Sequence, residues 1–234
     1  MKKVRLLKVV FDMPLQPWEI PQFRKAIAKK VGYEHILFHN HVDGDVTKFR
    51  HAYPLIQYKS FGRKAGLLSL EHGIEELYTL FSQENWELEF DGKIHTLKIE
   101  VLKLNQFNMQ VWDQNFEYSI SNWLALNQSN YEEFRKTDGL ADRCAMLERI
   151  LTGHILGFAK GVDWWLEKQV EVKIQHLSEP KIVKHKNVPF TNFHVKFKTN
   201  VFLPNDIGLG KGAARGYGVI RKSYPKQQTK NQTI

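Results

Sequence analysis

The sequence predicts an α+β chain of two tandem ferredoxin-like (RRM-like) domains, the second degenerate, with a C-terminal glycine-rich loop. Three observations carry that expectation. In the first hundred residues, short apolar runs and two helical patterns follow each other as β-α-β-β-α-β. The rest reads as a second strand–helix–strand–strand unit around one long amphipathic stripe. Near the C-terminus, Ile207–Ile220 holds Gly208, Gly210, Gly212, Gly216 and Gly218 within eleven residues, with Lys211 and Arg215 between them.

Val4–Phe11 reads as the first strand. Pro14, Pro17 and Pro21 punctuate a turn, and Ile20, Phe23, Ile27 and Val31 share one face of a helix that Gly32 stops. The next strand is expected from Phe49 to Lys59, where Phe49, His51, Tyr53 and Leu55 alternate and Pro54 argues for an edge or a bulge. Gly66–Leu70 is a third short strand, and Ile74, Leu77 and Phe81 set a helix from His72 to Phe81. Asp91-Gly92 is a turn signal for a hairpin of Trp86–Phe90 and His95–Leu102. A boundary falls near Lys103–Asn108, giving domains at 1–105 and 106–222 and a disordered basic tail at 223–234.

After the boundary, Met109–Ile120 is extended with a break at Asp113-Gln114-Asn115. Leu140, Cys144, Leu147, Leu151, Ile155 and Phe158 form the stripe of a helix from about Asp138 to Ala159. Gly153 and Gly157 inside it are expected to permit close packing. Trp164-Trp165 fit core packing or base stacking. Val170, Val172 and Ile174 alternate, as do Phe193, Val195 and Phe197, with Lys196 and Lys198 opposite the latter. A last strand lies near Tyr217–Arg221.

At 234 residues, 42% hydrophobic and 25% charged, the chain has the composition of a soluble globular protein with a real core. No run of 18 apolar residues exists to span a membrane, and the start reads as a strand and not a signal peptide. The single cysteine, Cys144, can make no internal disulfide, which points to a reducing cytoplasm. Net charge is +9, and from Pro180 to the end eleven basic residues face the single acid Asp206, a net +10. A one-sided basic region around a glycine loop is the footprint of a polyanion site, against the plainer reading of a solvated basic surface.

Glycine lets the backbone approach a ligand, and exposed N–H groups beside cations suit phosphate. Two familiar phosphate motifs do not fit. Too few residues follow the loop for the βαβ unit of a dinucleotide fingerprint, and Gly212 stands where a P-loop needs Ser or Thr.

The second informative stretch runs from Leu37 to Tyr53 and holds three of the ten histidines, His39, His41 and His51. Three readings compete. His39, His41, Asp43 and Asp45 could ligate a divalent ion, although zinc sites usually draw ligands at wider spacing. They could be ordinary loop residues. Or imidazoles titrating near neutrality could move protons on RNA, where a ribose 2′-OH attacks its own phosphate without a metal. DNA lacks that hydroxyl.

Taken together, His39-Asn40-His41, the run Tyr53-Pro54-Leu55-Ile56-Gln57-Tyr58-Lys59, Asn122-Trp123-Leu124-Ala125-Leu126-Asn127 and the loop Gly208–Gly218 resemble a family. It is that of the CRISPR repeat-processing endoribonucleases ("Cas six") of the RAMP superfamily. The resemblance implies paired ferredoxin-like domains with RNA in or near the groove between them. It implies metal-independent cleavage once within each repeat of a precursor CRISPR RNA, leaving 5′-hydroxyl and 2′,3′-cyclic phosphate ends, with no cofactor. His41 fits the family's catalytic position best, between the first helix and the second strand, with His39 next and His51 a third candidate. Lys59 is a candidate for steadying the phosphate and Tyr53 for positioning. Lys211 and Arg215, with Gly208, Gly210, Gly212, Gly216 and Gly218, map onto the RNA-contacting loop, and Lys196 and Lys198 extend its basic surface. A non-catalytic RNA-binding subunit of a CRISPR effector complex is the second reading. Repeat RNA is the expected partner; other Cas proteins and a homodimer stay open.

Overall fold

The computed structural model describes residues 1–39, 41–42, 45–49, 52–185 and 188–223, with the backbone alone for 41–42, 45–49 and 185. The chain opens with β1 (Lys2–Pro14), in which Leu7, Val9, Phe11 and Met13 face one side and Val4 and Leu6 the other. Helix α1 (Ile20–Val31) buries Ile20, Phe23, Ile27, Ala28 and Val31 on the first of those faces. Gly32 ends it at φ +103°, where its N–H returns to the Ala28 carbonyl. A small hairpin of β2 (His41–Val42) and β3 (Asp45–Phe49) follows. Then come β4 (Ile56–Phe61), β5 (Lys64–Leu70), α2 (His72–Phe81), β6 (Glu87–Phe90), β7 (Lys93–Thr96) and β8 (Ile99–Met109).

The first sheet is antiparallel with order β4-β5-β1-β8. Each strand–helix–strand crossover therefore has a third strand inserted between its ends, the split arrangement of a ferredoxin-like domain. Two local expectations change. The strand expected over 49–59 is broken at 52–55: Pro54 brings no N–H, and β4 starts only at Ile56. The hairpin expected over 86–102 closes earlier, as β6 with β7, while the chain from Ile99 becomes β8 and pairs along β1. The expected division at residue 105 lies inside β8, whose pairing reaches Met109 opposite Lys2.

The second half contains β9 (Val111–Trp123), α3 (Gln128–Lys136), α4 (Leu140–Gly161), β10 (Val172–Leu177), β11 (Lys181–His185), β12 (Val188–Val201) and β13 (Val219–Lys222). Its sheet runs β10-β12-β9-β13, with β11 on the other end of β12. This is the order of the first sheet again, with β9, β10, β12 and β13 as first to fourth strands. What is missing is the second helix. Residues 202–218, the glycine-rich stretch, stand in its place in the chain. That stretch is a crossover and not a hairpin loop, because β9 lies between β12 and β13. The expected break at Asp113–Asn115 is a bulge inside continuous β9, where the step from Val111 to Phe116 faces only Val201 to Thr199.

Val4, Leu6, Leu68 and Leu70 of the first sheet join Trp123, Leu147, Leu151, Ile155 and Phe158 in one cluster, so a single core ties the two domains. Trp164 is buried in it, whereas Trp165 is exposed. Among the described residues, no helix is long and apolar enough to cross a membrane. Among the described residues, nothing lies within 4 Å of where a Cβ would stand at Gly153 or Gly157, so none of them makes the close approach expected there. An interior helical glycine costs about 1 kcal/mol relative to alanine. Gly153→Ala and Gly157→Ala are each expected to raise the melting temperature, by roughly 2–4 °C for a chain of this size. A thermal melt that falls would show a packing contact at that site after all.

Candidate nucleic-acid interface

The glycine-rich stretch is held from both sides. Its arms are zipped together by Leu209 N–H to Gly218 O at 2.9 Å and Ile220 N–H to Ile207 O at 2.9 Å, and Gly218 N–H reaches Asn122 O. A Cβ on Gly218 would stand 1.9 Å from the Leu209 carbonyl oxygen at φ +61°, so this position admits glycine alone. The tip then crosses to the first domain and docks on β4, an edge strand. Tyr58 N–H donates to Ala214 O at 2.9 Å, Gly208 N–H donates to the Gln57 side-chain oxygen at 2.8 Å, and Lys59 Nζ donates to Ala213 O at 3.4 Å.

The run Tyr53–Lys59 is thus the joint of the molecule. Gln57 is fully buried, and its amide donates to the Tyr53 hydroxyl at 2.8 Å and to Pro54 O at 3.2 Å. The Tyr53 ring meets Phe158 edge-on at 5.2 Å and fills the space over Gly161. Tyr58 donates its hydroxyl to Phe38 O at 3.0 Å, fixing the start of the histidine stretch. Burial pushes both phenols well above the ordinary tyrosine range, although the bond to Gln57 and the nearby Arg24 oppose this at Tyr53 and Tyr58 respectively. Lys59, proposed for the phosphate, has its amine buried beneath the loop and not at the surface. Desolvation pulls it down to about 7 against the attraction of Asp206. Asp206, the lone acid of the basic segment, pairs with Lys8 at 3.0 Å and Arg221 at 3.5 Å.

His39 follows a single 3-10 turn, Ile36–Phe38, and is 7% exposed. Its Nε2 lies 2.7 Å from Tyr33 O; a carbonyl only accepts, so that nitrogen carries the proton. Its own carbonyl accepts from Arg24 Nη2. For His41 the backbone lies in β2, and its side chain is outside the described residues. Asn40, Asp43 and His51 also lie outside them, as does the side chain of Asp45, so the metal reading of this stretch is not tested. Residues 224–234 of the tail are outside as well.

Arg24 escaped the sequence reading. It stands four residues after Ile20 and three before Ile27, and a cation beside that apolar stripe was the available signal. Its guanidinium lies close enough to Arg215 of the loop that the two charges oppose each other. Burial, first, holds both below the ordinary arginine range; for Arg215 the like charge of Arg24 adds to it. Among the described residues neither has a carboxylate partner, and Arg24 Nε is buried with no hydrogen-bond partner. Half-buried cations without a carboxylate partner are costly, and the planar forks of two arginines match a phosphate. The structure therefore brings together Arg24, Arg215, the His39 carbonyl and the docked glycine loop.

Other predicted residues lie apart. Lys196 and Lys198 project from the face of β12 opposite Phe193, Val195 and Phe197, away from α4, and Lys198 pairs with Glu117 at 3.1 Å. Lys211 is exposed, with its amine 4.3 Å above the Phe190 ring. Gly210 packs on Trp123 and His154; Gly212 and Gly216 take positive φ against Tyr217 and Ile20. His154 was also unforeseen. Its Nδ1 accepts from Trp123 Nε1 at 3.1 Å, and burial pulls the imidazole down to about 4.

Residues 2–108 match the family model of the Cas6b N-terminal domain, and residues 94–223 that of the Cas6b C-terminal domain. The chain belongs to the Cas6b family. A crystal structure of Cas6b is 26% identical and superposes with a TM-score of 0.84 over 95% of this chain and 100% of that one. A CRISPR RNA processing endoribonuclease Cas6b, at 23% identity and a TM-score of 0.70 with the same coverage, shares the fold. A protein of Methanocaldococcus jannaschii is 30% identical over 135 residues, 57% of this chain and 90% of that protein. The two Cas6b domain models meet at β8, the strand that closes the first sheet.

The buried Lys59 gives a stability test of the joint. Its amine titrates near 7 in the folded chain and near 10.5 unfolded, so between those values the unfolded state binds more protons and stability rises with pH. The charged form's burial penalty is complete below about 7 and gone above about 10.5. Lys59→Met is expected to stabilise the protein at pH 7 by on the order of 2 kcal/mol, and by much less at pH 10. Denaturant titrations at the two pH values check this; an equal change at both would remove the buried ammonium from the account.

Proposed function

We propose that the protein is a metal-independent endoribonuclease that cuts precursor CRISPR RNA once within each repeat. One observation carries the reading: two half-buried guanidiniums from different domains, Arg24 and Arg215, lie close enough to repel each other, with no carboxylate partner among the described residues and with Arg24 on the His39 carbonyl. Among the described residues no anion accompanies this positive charge, and a phosphodiester would supply one. Membership of the Cas6b family and the likeness to a CRISPR RNA processing endoribonuclease support the same substrate.

In the proposed reaction the ribose 2′-oxygen forms a bond to the adjacent phosphorus as the bond from phosphorus to the 5′-oxygen breaks. One base takes the 2′-proton and one acid gives a proton to the leaving 5′-oxygen. The products are a 2′,3′-cyclic phosphate and a 5′-hydroxyl. His41 is assigned the acid–base role, with His51 its alternative. His39 has its Nε2 proton on the Tyr33 carbonyl, which suits it to shape the stretch. Arg24 and Arg215 stabilise the charge that grows on phosphorus-bound oxygens. Lys59, Gln57 and Tyr53 position the loop. The engaged His39 also favours a second reading, an RNA-binding subunit that holds repeat RNA without cutting it.

The test is incubation of the protein with its host's repeat RNA in excess EDTA, beside an RNA carrying one 2′-deoxy sugar at the scission point. Cleavage of the first and survival of the second are expected. His41→Ala should keep RNA affinity while losing about 10²–10⁴-fold in rate. Arg24→Met should slow the reaction on the order of 10²-fold, as loss of a transition-state donor does. Equal cutting of the deoxy RNA would remove the proposed nucleophile, and tight binding without cutting would establish the second reading.

A further inference from the structure

A cleft of about 870 Å³ opens between the domains, on the side of α4 that carries Gly153 and Gly157. Leu37, Ala52, Tyr53, Pro54 and Leu55 wall it from the first domain, and His154, Gly157, Lys160 and Gly210 from the second. That volume lies within the range of small-ligand sites, which favour such domain boundaries. The reading that follows rests on the RNA-cleaving function proposed above. We infer that this cleft is a nucleobase pocket for a nucleotide flanking the scission point, with His154 as the side chain that selects the base.

Three observations converge on it. The first is the glycine pair. Both residues are exposed, both line the cleft, and among the described residues no neighbour needs either to be glycine. Helix backbone bared at two positions one turn apart gives a flat wall that a ring can approach closely. The second is the histidine between them. An indole N–H can only donate, so Trp123 fixes Nδ1 of His154 as an acceptor and leaves the proton of the neutral ring on Nε2. Among the described residues Nε2 has no hydrogen-bond partner. A fixed neutral donor beside an apolar wall suits a ring nitrogen or carbonyl on a base edge better than it suits a phosphate.

The third is continuity with the proposed reaction site. Leu37 and Ala52 bracket the histidine stretch, and Gly210 belongs to the loop that carries Arg215. The same loop therefore borders both the cleft and the arginine pair proposed for the phosphate. The charges agree with that division. Lys160 and Asp163 both line the cleft, so it holds no excess of positive charge comparable to the arginine pair. Splayed bases stacked against aromatic and apolar walls are the usual way single-stranded RNA is read.

The experiment fills the cleft and empties the RNA in turn. Gly157→Leu places a side chain where none of the described residues stands; Gly153→Leu, one turn away, carries the same test should the first not fold, with thermal melts as the control. Binding is measured to repeat RNA and to a set of RNAs each carrying one abasic position near the scission point. For the wild type, one abasic position is expected to weaken binding about tenfold. The filled variant should bind intact RNA about tenfold more weakly and lose its sensitivity to that same position. His154→Ala should relax discrimination among bases there. A filled variant that binds like the wild type, or that keeps the abasic penalty, overturns the pocket while leaving the nuclease reading intact. A wild type that does not bind repeat RNA overturns both.

Discussion

Everything in this molecule depends on a loop of the second domain completing an edge of the first. β4 is the outer strand of its sheet, and an outer strand leaves backbone groups unpaired. The glycine-rich stretch supplies the partner: the Ala214 carbonyl takes the Tyr58 N–H, and Gly208 and Ala213 are tied to Gln57 and Lys59. Because those bonds use main-chain atoms, they fix the loop's path and leave Lys211 and Arg215 free of the task. Because Tyr58 also holds the Phe38 carbonyl, the same joint sets where the histidine stretch begins. Loop, edge strand and the Phe38 end of the histidine segment are therefore one mechanical unit drawn from both domains.

That unit is built at a cost that folding alone does not explain. Arg24 and Arg215 are desolvated and repel each other, and the Lys59 amine is buried with Asp206 and the Ala213 carbonyl to steady it. Replacing such charges with apolar groups would generally strengthen a fold. Glycines inside α4 weaken a helix that otherwise has a sound apolar stripe. Arg24 meets the His39 carbonyl and the α4 cleft is walled by Leu37 and Ala52, so both departures lie at the ends of the same stretch. They suit the proposed RNA ligand, with an anion at the arginines and an uncharged ring beside α4.

How much of this the sequence disclosed depended on whether the signal was local. Gly32 as a helix stop, Asp91-Gly92 as a turn and the stripe from Leu140 to Phe158 are local, and each became the element expected. The interruption at 52–55 was announced by Pro54 but placed inside a strand, because alternation at Tyr53 and Leu55 mimicked one; Tyr53 in fact turns to the other domain. Asp113–Asn115 was seen as an irregularity, and only pairing with β12 made it a bulge. Lys59 was expected to steady the phosphate, a role that needs an accessible amine. Its burial comes from a loop more than 150 residues away in the chain. The same distance hid Arg24, whose neighbour Arg215 is brought to it only by the docked loop. Lys196 and Lys198 added to the basic count, but the pleat puts them on the far face of the sheet.

The missing helix is the final link. In the first domain, α2 follows the third strand and covers the sheet; its backbone bonds run along its own axis and are spent within it. A helix in the corresponding place of the second domain would likewise have had no main-chain groups to offer sideways. An irregular segment has them, provided its chain can turn without a Cβ in the way, and Gly218, locked against the Leu209 carbonyl, shows that requirement at its strictest. Degeneracy of the second domain is in this sense its contribution: giving up a helix frees a backbone to grip the partner domain, and the grip creates the charged and cleft surfaces that neither domain has alone.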